Sequence, residues 1–411
     1  MSSAFLHSLR RAAPLLTDPA SWANLARIAS SYVRSMHSKR ATISGLPFVL
    51  MIEPTNFCNL HCPLCPSGDG RLTRARGMMD RATFGRILKQ TKGTVKFLQL
   101  WNQGEPLLHP DLPWMIRRAK AQGMFVSMST NGHPLADPSV ALEIVRSGLD
   151  HLIVSVDGAT QETYARYRRG GNLQTVLRGI EHCVQARIKP HRKGAKSAKN
   201  FKRWGLPFSA SFAPLRWILP QSAIRNPKRP WIELQCIVMR HNEHEIPAMK
   251  ALAQRLGVDR LSLKTVQIDT ADQAETFLPS DRNQSRYAAA QERKPTTGKH
   301  GSTQKKPADM LRASLGFRGK MFEEGTLMTE RTRDSCRRLW FSTVINWDGT
   351  VVPCCFDKDG DFVMGNILQE SLEQIWRGRR YQAFRDAVLR NRAGIAMCRN
   401  CTEGLRKLFL Q

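Results

Sequence analysis

Short β-branched and apolar runs along the chain alternate with longer stretches whose apolar residues recur at helical spacing. Six runs predict strands: FVLMIE (48 to 53), VKFLQLW (95 to 101), MFVSMST (124 to 130), HLIVSVD (151 to 157), IELQCIVM (232 to 239) and LSLKTVQI (261 to 268). Between them LPWMIRRAKAQG and PSVALEIVRSG predict helices, the second closed by the glycine that a helix C-terminus favours. Strands that alternate with helices pair in parallel through right-handed crossovers, which gives either an open doubly wound sheet or a complete or partial barrel. Polar and glycine-rich turns follow the strands: a cysteine triplet after the first, NQGEP after the second, TNG after the third and DG after the fourth. In such folds the carboxyl edge is the active face. Ahead of the first strand, SWANLARIASSYVRSMHSKR places Trp22, Leu25, Ile28, Tyr32, Val33 and Met36 on a helical stripe, expected to dock on the protein itself rather than on a membrane.

The chain has 411 residues, 41% hydrophobic and 24% charged, enough for a large barrel and a smaller second domain. No run approaches the length of a membrane span, and MSSAFLHSLRRAAPLL lacks the order of a basic start followed by an apolar core that a secretory signal has, so a cytoplasmic location is expected. In a reducing compartment ten cysteines are metal ligands or buried small hydrophobes rather than disulfides. The net charge of +29 is concentrated. Residues 187 to 230 hold 12 Lys or Arg and no acid, and residues 282 to 320 hold 10 basic and 2 acidic residues, together 20 of the 29 net charges. Both stretches are rich in Gly, Pro, Ser and Lys without apolar periodicity, and read as surface insertions. Solvated loops are the first reading. Contact with nucleic acid, an anionic membrane or an acidic partner is the second; in the first stretch Trp204, Phe208, Phe212 and Trp217 suit stacking on bases, entry into an interface, or folding of the insertion back on the protein.

EPTNFCNLHCPLCPSG, residues 53 to 68, sets Cys58, Cys62 and Cys65 directly after the first strand. Three thiols do not close a tetrahedral zinc site, since His61 adjoins Cys62 and the next cysteine is Cys183. A 4Fe-4S cluster held by three cysteines keeps one iron open for another ligand. The C-x3-C-x2-C spacing after a first strand resembles the radical S-adenosylmethionine (radical SAM) superfamily. That resemblance implies that the open iron chelates the amino and carboxylate groups of S-adenosylmethionine (SAM), and that electron transfer to the sulfonium releases a 5'-deoxyadenosyl radical which abstracts hydrogen. The later turns are similar to the family's in order and spacing. Gly104 and Glu105 of GEP match the turn whose acid holds the cofactor ammonium, with Gln103 where the family often has glycine. Thr130, Asn131 and Gly132 match the third-strand turn, Ser155 and Asp157 stand where relatives contact the ribose, and Arg168 of YRRGGNL is offered to the cofactor carboxylate, with Arg169 as a competitor. Leu64 departs from the aromatic residue that commonly precedes the last cysteine.

A second constellation follows: Cys336, a hairpin bearing DGT, the PCC turn with Cys354 and Cys355, then GN, an IW helix, and CRNC with Cys398 and Cys401. Four cysteines would suit zinc equally. The pattern resembles the SPASM or twitch domain of radical SAM enzymes, which implies one auxiliary 4Fe-4S cluster held by Cys336, Cys354, Cys398 and Cys401, with Cys355 able to exchange roles with Cys354. Asp357 is a candidate acid or base near substrate, or else a turn residue. Cys183 and Cys236 fall inside a predicted helix and strand and read as core.

The expected architecture is α/β: an N-terminal helical segment (1 to 46), a partial (β/α)6 TIM-like barrel (47 to 275) with the basic insertion at about 187 to 230, a basic linker (276 to 330) and a small C-terminal cysteine-rich auxiliary-cluster domain (331 to 411). The implied enzyme oxidises a small organic molecule by two electrons, with a reducing partner such as flavodoxin or ferredoxin. Peptide or protein modification and RNA modification are the alternatives.

Overall fold

Parallel strands buried on both faces need continuous apolar character, and the first strand, β1 (Val49–Ile52, VLMI), is buried at all four positions. Five more strands follow: β2 (Phe97–Leu100), β3 (Phe125–Thr130), β4 (His151–Ser155), β5 (Trp231–Val238) and β6 (Arg260–Thr265). Each lies within two residues of its predicted start, and β1 to β6 pair in parallel in chain order. The computed structural model describes residues 19–188, 229–268, 271–285, 287, 315, 334–399 and 401. The two basic stretches, including the four aromatics of the first, therefore lie almost wholly outside the described residues.

Alternation along the strands separates two faces. Leu50, Leu98, Val126, Leu152 and Leu234 join the large apolar core under the crossover helices. The register aligns Met51 with Gln99, Gln99 with Ser127 and Ser155 with Gln235, so the inner face gains polar residues toward the carboxyl ends of the strands. The predicted helices form as Leu112–Ala121 and Pro138–Arg146, the latter followed by Gly148 at φ +87°.

The C-terminal region is not a separate layer. Its first strand, β7 (Ser342–Ile345), pairs in parallel with the outer edge of β1, and β8 (Thr350–Val352) and β9 (Gly365–Asn366) continue antiparallel, giving one nine-stranded sheet. The N-terminal helix Pro19–Ser38 packs on this region: Tyr32 meets Trp340 edge-on at 5.4 Å, and Trp340 donates to Thr42 O. The stripe is narrower than predicted. Leu25, Ile28, Tyr32 and Met36 face the core, while Trp22 and Val33 are each 52% exposed. Their places on the docked face go to Ser21, Ser31 and Ser35, whose small side chains allow close approach; Ser31 and Ser35 return their hydroxyls to the helix backbone. No helix among the described residues is long and apolar enough to cross a membrane.

Candidate active site at the carboxyl edge of the sheet

The loop after β1 is fixed before any ligand is considered. Thr55 donates to Gly77 O, and Asn56 both donates to Ala75 O and accepts from Gly77 N, which pins the entry to the loop on residues 75–77. Cys65 O accepts from Gly68 N and Asp69 N, starting a one-turn helix, Pro66–Asp69. A Cβ on Gly68 would stand 2.7 Å from Cys62 N, so glycine is required there. Around these thiols, Gln103 Oε1 lies 4.0 Å from Cys65 Sγ, and Arg168 Nη1 lies 3.9 Å from Cys62 Sγ. Burial pushes the Cys58 thiol up to about 11, with Glu105 and the other two thiols adding to it. Burial also raises Cys62, against the opposing charge of Arg168.

The second-strand and third-strand turns meet through one carboxylate. Gly104 sits at φ +77°, and a Cβ there would be 2.6 Å from Thr55 O and Phe57 O. Glu105 is buried; Oε1 accepts from Thr130 Oγ1 at 2.6 Å and Leu107 N at 3.0 Å, and Oε2 accepts from Asn131 N at 2.6 Å. Burial raises this carboxyl and the three donors oppose the shift. Asn131 in turn donates to Asn59 Oδ1 at 2.7 Å, tying the TNG turn to the cysteine loop. His133 Nδ1 lies 3.1 Å from Asn131 Oδ1, and its Nε2 accepts from Asn172 N at 2.9 Å, an arrangement that suits the neutral imidazole. Burial and Arg168 lower its pKa in the same sense.

Asp157 and Arg168, read from sequence as two separate cofactor contacts, form an ion pair. Arg168 Nε donates to Asp157 Oδ2 at 2.6 Å, while Asp157 Oδ1 accepts from Ile237 N at 2.6 Å. Ser155 is buried at the end of β4. The backbone carbonyl of Arg169 accepts from His61 N at 2.9 Å.

All ten cysteines are free thiols. Cys354 is half-buried, and desolvation together with Cys355, Cys398, Cys401 and Cys336 around it holds its thiol far above the usual range. Cys398 shares Cys401 and Cys336 as neighbours, with Arg392 opposing their charge. Cys355 takes another direction, packing with Met51, Val344, Val352 and Trp101 on the inner face of the sheet. Asp357 is buried; Oδ1 accepts from Asp361 N at 2.7 Å and Oδ2 from Phe362 N at 2.9 Å, the pattern of a turn residue, and burial raises it to about 7. Cys183 and Cys236 are core residues as expected. Among the described residues no three His, Cys, Asp or Glu side chains form a cage for a single metal ion. A cluster spreads its thiolates over separate irons, so its ligands need not converge on one point as zinc ligands do.

Residues 52–195 match the model of the radical SAM superfamily, and residues 336–402 match that of SPASM, an iron-sulfur cluster-binding domain. The chain is a radical SAM enzyme with a SPASM domain. Its chemistry accordingly employs SAM, the 4Fe-4S cluster of that superfamily and auxiliary iron-sulfur in the SPASM domain. This radical SAM enzyme is 26% identical over 224 residues to the PqqA peptide cyclase of Xanthomonas campestris, covering 54% of this chain and 47% of the cyclase. The chain thus spans about half the length of the first curated relatives it matches. A tungsten-containing aldehyde ferredoxin oxidoreductase cofactor-modifying protein of Pyrococcus furiosus is 24% identical over 82% of both chains. Streptococcus suis SuiB, 14% identical, superposes with a TM-score of 0.54 over 93% of this chain and 77% of its own. Native anSMEcpe with bound AdoMet, also 14% identical, gives 0.51 over 82% of each chain. These two solved structures share the fold.

The sequence motifs named most residues of the site. They missed Asn59, His133, Glu53 and Arg74. Glu53 opens the first cysteine motif, and its charge at the end of an apolar strand was the available signal; Arg74 lies in a polar segment with no pattern to mark it.

Proposed function

We propose that this radical SAM enzyme carries out a net two-electron oxidation of a small organic molecule, with Cys58, Cys62 and Cys65 holding the SAM cluster and Cys336, Cys354, Cys398 and Cys401 holding one auxiliary 4Fe-4S cluster. When bound, the first cluster and SAM supply a 5'-deoxyadenosyl radical that takes one hydrogen atom from substrate, and the auxiliary cluster supplies an acceptor for the second electron. The donor set fits these groups: three thiols on one loop and four thiols drawn from three segments. Glu105 positions the Thr130 to Gly132 turn and would hold the cofactor ammonium. Arg168, oriented by Asp157, offers the rest of its guanidinium to the cofactor carboxylate and to the Cys62 sulfur. The packing of Cys355 against Met51 and Trp101 supports Cys354 as the ligand. Asp357 anchors the turn beside it.

The observation that carries the small-molecule reading is the relative that aligns over 82% of both chains and whose name makes it a modifier of a cofactor. Peptide modification is the second reading, favoured by the PqqA peptide cyclases and by SuiB, which is described with a bound precursor peptide. A flavodoxin or ferredoxin would supply the reducing electron. The test incubates the reduced, reconstituted protein with SAM and panels of polar small molecules and of peptides, and follows 5'-deoxyadenosine. Stimulation by a small molecule, with a product two hydrogens lighter, is expected. Stimulation by peptides alone transfers the assignment to the second reading.

A further inference from the structure

Glu53 ends β1 fully buried, where an unpaired carboxylate would be prohibitively costly. Arg74 closes on it as a fork, Nη1 to Oε1 at 2.7 Å and Nη2 to Oε2 at 2.5 Å. Gln103 N and Asn102 Nδ2 also donate to Oε2, at 3.1 and 3.3 Å, which ties the carboxylate to the turn that presents Gly104 and Glu105. The third donor of Arg74 reaches the other way. Its Nε donates to Lys358 O at 2.7 Å, in the turn that follows Cys354 and Cys355. The residues on either side repeat this link: Thr73 N and Oγ1 donate to Asp359 Oδ1 at 2.7 and 3.0 Å, and Ala75 O accepts from Trp347 Nε1 at 3.2 Å. Gly77 completes the seat, since a Cβ there would come within 2.6 Å of the Trp347 ring. Segment 73–77 is thus a strap whose one face holds the cysteine loop and whose other face holds the auxiliary turn.

We infer that Arg74 is a positioning residue: its fork on Glu53 and its bond to Lys358 O set the auxiliary-site turn relative to the SAM site, and so set the environment of the auxiliary cluster. Fork geometry matters because a lysine can neutralise Glu53 but cannot make both bonds while also reaching Lys358 O. The potential of an iron-sulfur cluster depends on hydrogen bonds to its sulfurs and on solvent access, so a displaced turn after Cys354 would change the potential of a cluster held there. This inference rests on the assignment of Cys354 as an auxiliary ligand.

Arg74→Lys separates this role from charge pairing alone. The full chain is reconstituted anaerobically and reduced with dithionite, and three properties are compared with wild type: iron content, the midpoint potential of the auxiliary cluster from its paramagnetic resonance signal, and hydrogen exchange of residues 346–362. The expected result is unchanged iron, a shifted auxiliary potential, an unshifted SAM-cluster potential, and exchange in 346–362 faster by roughly tenfold. An auxiliary potential equal to wild type overturns the inference, even where exchange quickens. If the lysine variant fails to fold, the double variant Glu53→Gln/Arg74→Met, which leaves no buried charge, takes its place under the same criteria. A wild type with only one cluster signal would instead refute the auxiliary-ligand assignment, a failure visible before any variant is made.

Discussion

Cys58, Cys62 and Cys65 fall within eight consecutive positions on one loop, whereas Cys336, Cys354, Cys398 and Cys401 come from three segments spread over 66 positions. The first set is shaped by its surroundings: the Asn56 and Thr55 bonds to 75–77, the glycine at 68 and the Asn59–Asn131 link hold the loop by backbone and amide contacts that involve no sulfur. The second set is supported by contacts between distant parts of the chain: Arg74 and Thr73 bond to Lys358 O and Asp359, and Arg392 donates to Ser335 O beside Cys336. Desolvation holds Cys354 and Cys398 far above the ordinary thiol range, so each would have to ionise against its surroundings, with Arg392 the cation near three of the four sulfurs. A metal that binds such thiols as thiolates lends its binding free energy to folding. The contrast in chain separation leads us to propose that the one-loop set is a site in a finished fold, whereas a group that joins thiols from three distant segments helps to finish the fold.

The largest expected effect follows from that contrast. Replacing Cys58, Cys62 and Cys65 together by alanine should remove about four of about eight iron atoms and move the melting temperature by less than about 3 °C. Replacing Cys398 and Cys401 should also remove about four, but lower the melting temperature by roughly 10 °C, with the loss read in the C-terminal residues by hydrogen exchange. Equal melting shifts for the two variants would erase the proposed difference. Iron near four atoms in the unmodified protein, or zinc in the tail, would remove its basis.

The same contrast explains what was legible in the sequence. The six barrel strands were readable because each is a local apolar run, and the turns at Gly104, Thr130 and Asp157 because they follow those runs directly. The pairing of β7 with β1 was not, since the VI of STVI carries no mark of which edge it will join. The outward turn of Trp22 and Val33 was equally hidden, because helical period alone does not say that serines will supply the closest contacts. The Asp157–Arg168 pair also escaped: motif order assigned each side chain a ligand, and only the folded geometry brings them within 2.6 Å of each other.

Glu105 gives the next effect in size and sharpens the account of the first region. From sequence its carboxylate belongs to the cofactor, yet in the fold it also accepts from Thr130, Leu107 and Asn131. Glu105→Ala strands these donors in a buried place, at a cost of about 2 to 4 kcal/mol. The expected outcome is a cofactor affinity lower by at least about tenfold, measured calorimetrically on reconstituted protein, together with a lower denaturation midpoint and unchanged iron. Unchanged affinity would place the binding acid elsewhere. Unchanged stability would mean that the TNG turn holds itself.

The last effect belongs to Glu233, which serves as a control because it stands on the sheet that both regions share. Burial alone would raise its carboxyl, but the hydrogen bond from His151 at 3.2 Å, the charge of His151 and that of Lys264 bring it to about 2. A carboxyl depressed from 4.5 to about 2 contributes stability that is fully present above pH of about 4.5 and is lost as pH falls through about 2. The amount is about 3 kcal/mol. Glu233→Gln removes the charge that carries this contribution, so it should lower the apoprotein's urea midpoint at pH 7 and flatten the decline in that midpoint between about pH 4.5 and 2.5. Because β4 and β5 belong to a single sheet that continues through β1 into β7, acid should unfold the barrel and the auxiliary hairpin in one transition. Separate transitions for Trp231 in the barrel and Trp340 beside β7, resolved by replacing other tryptophans, would show that the shared sheet does not make the two regions one cooperative unit.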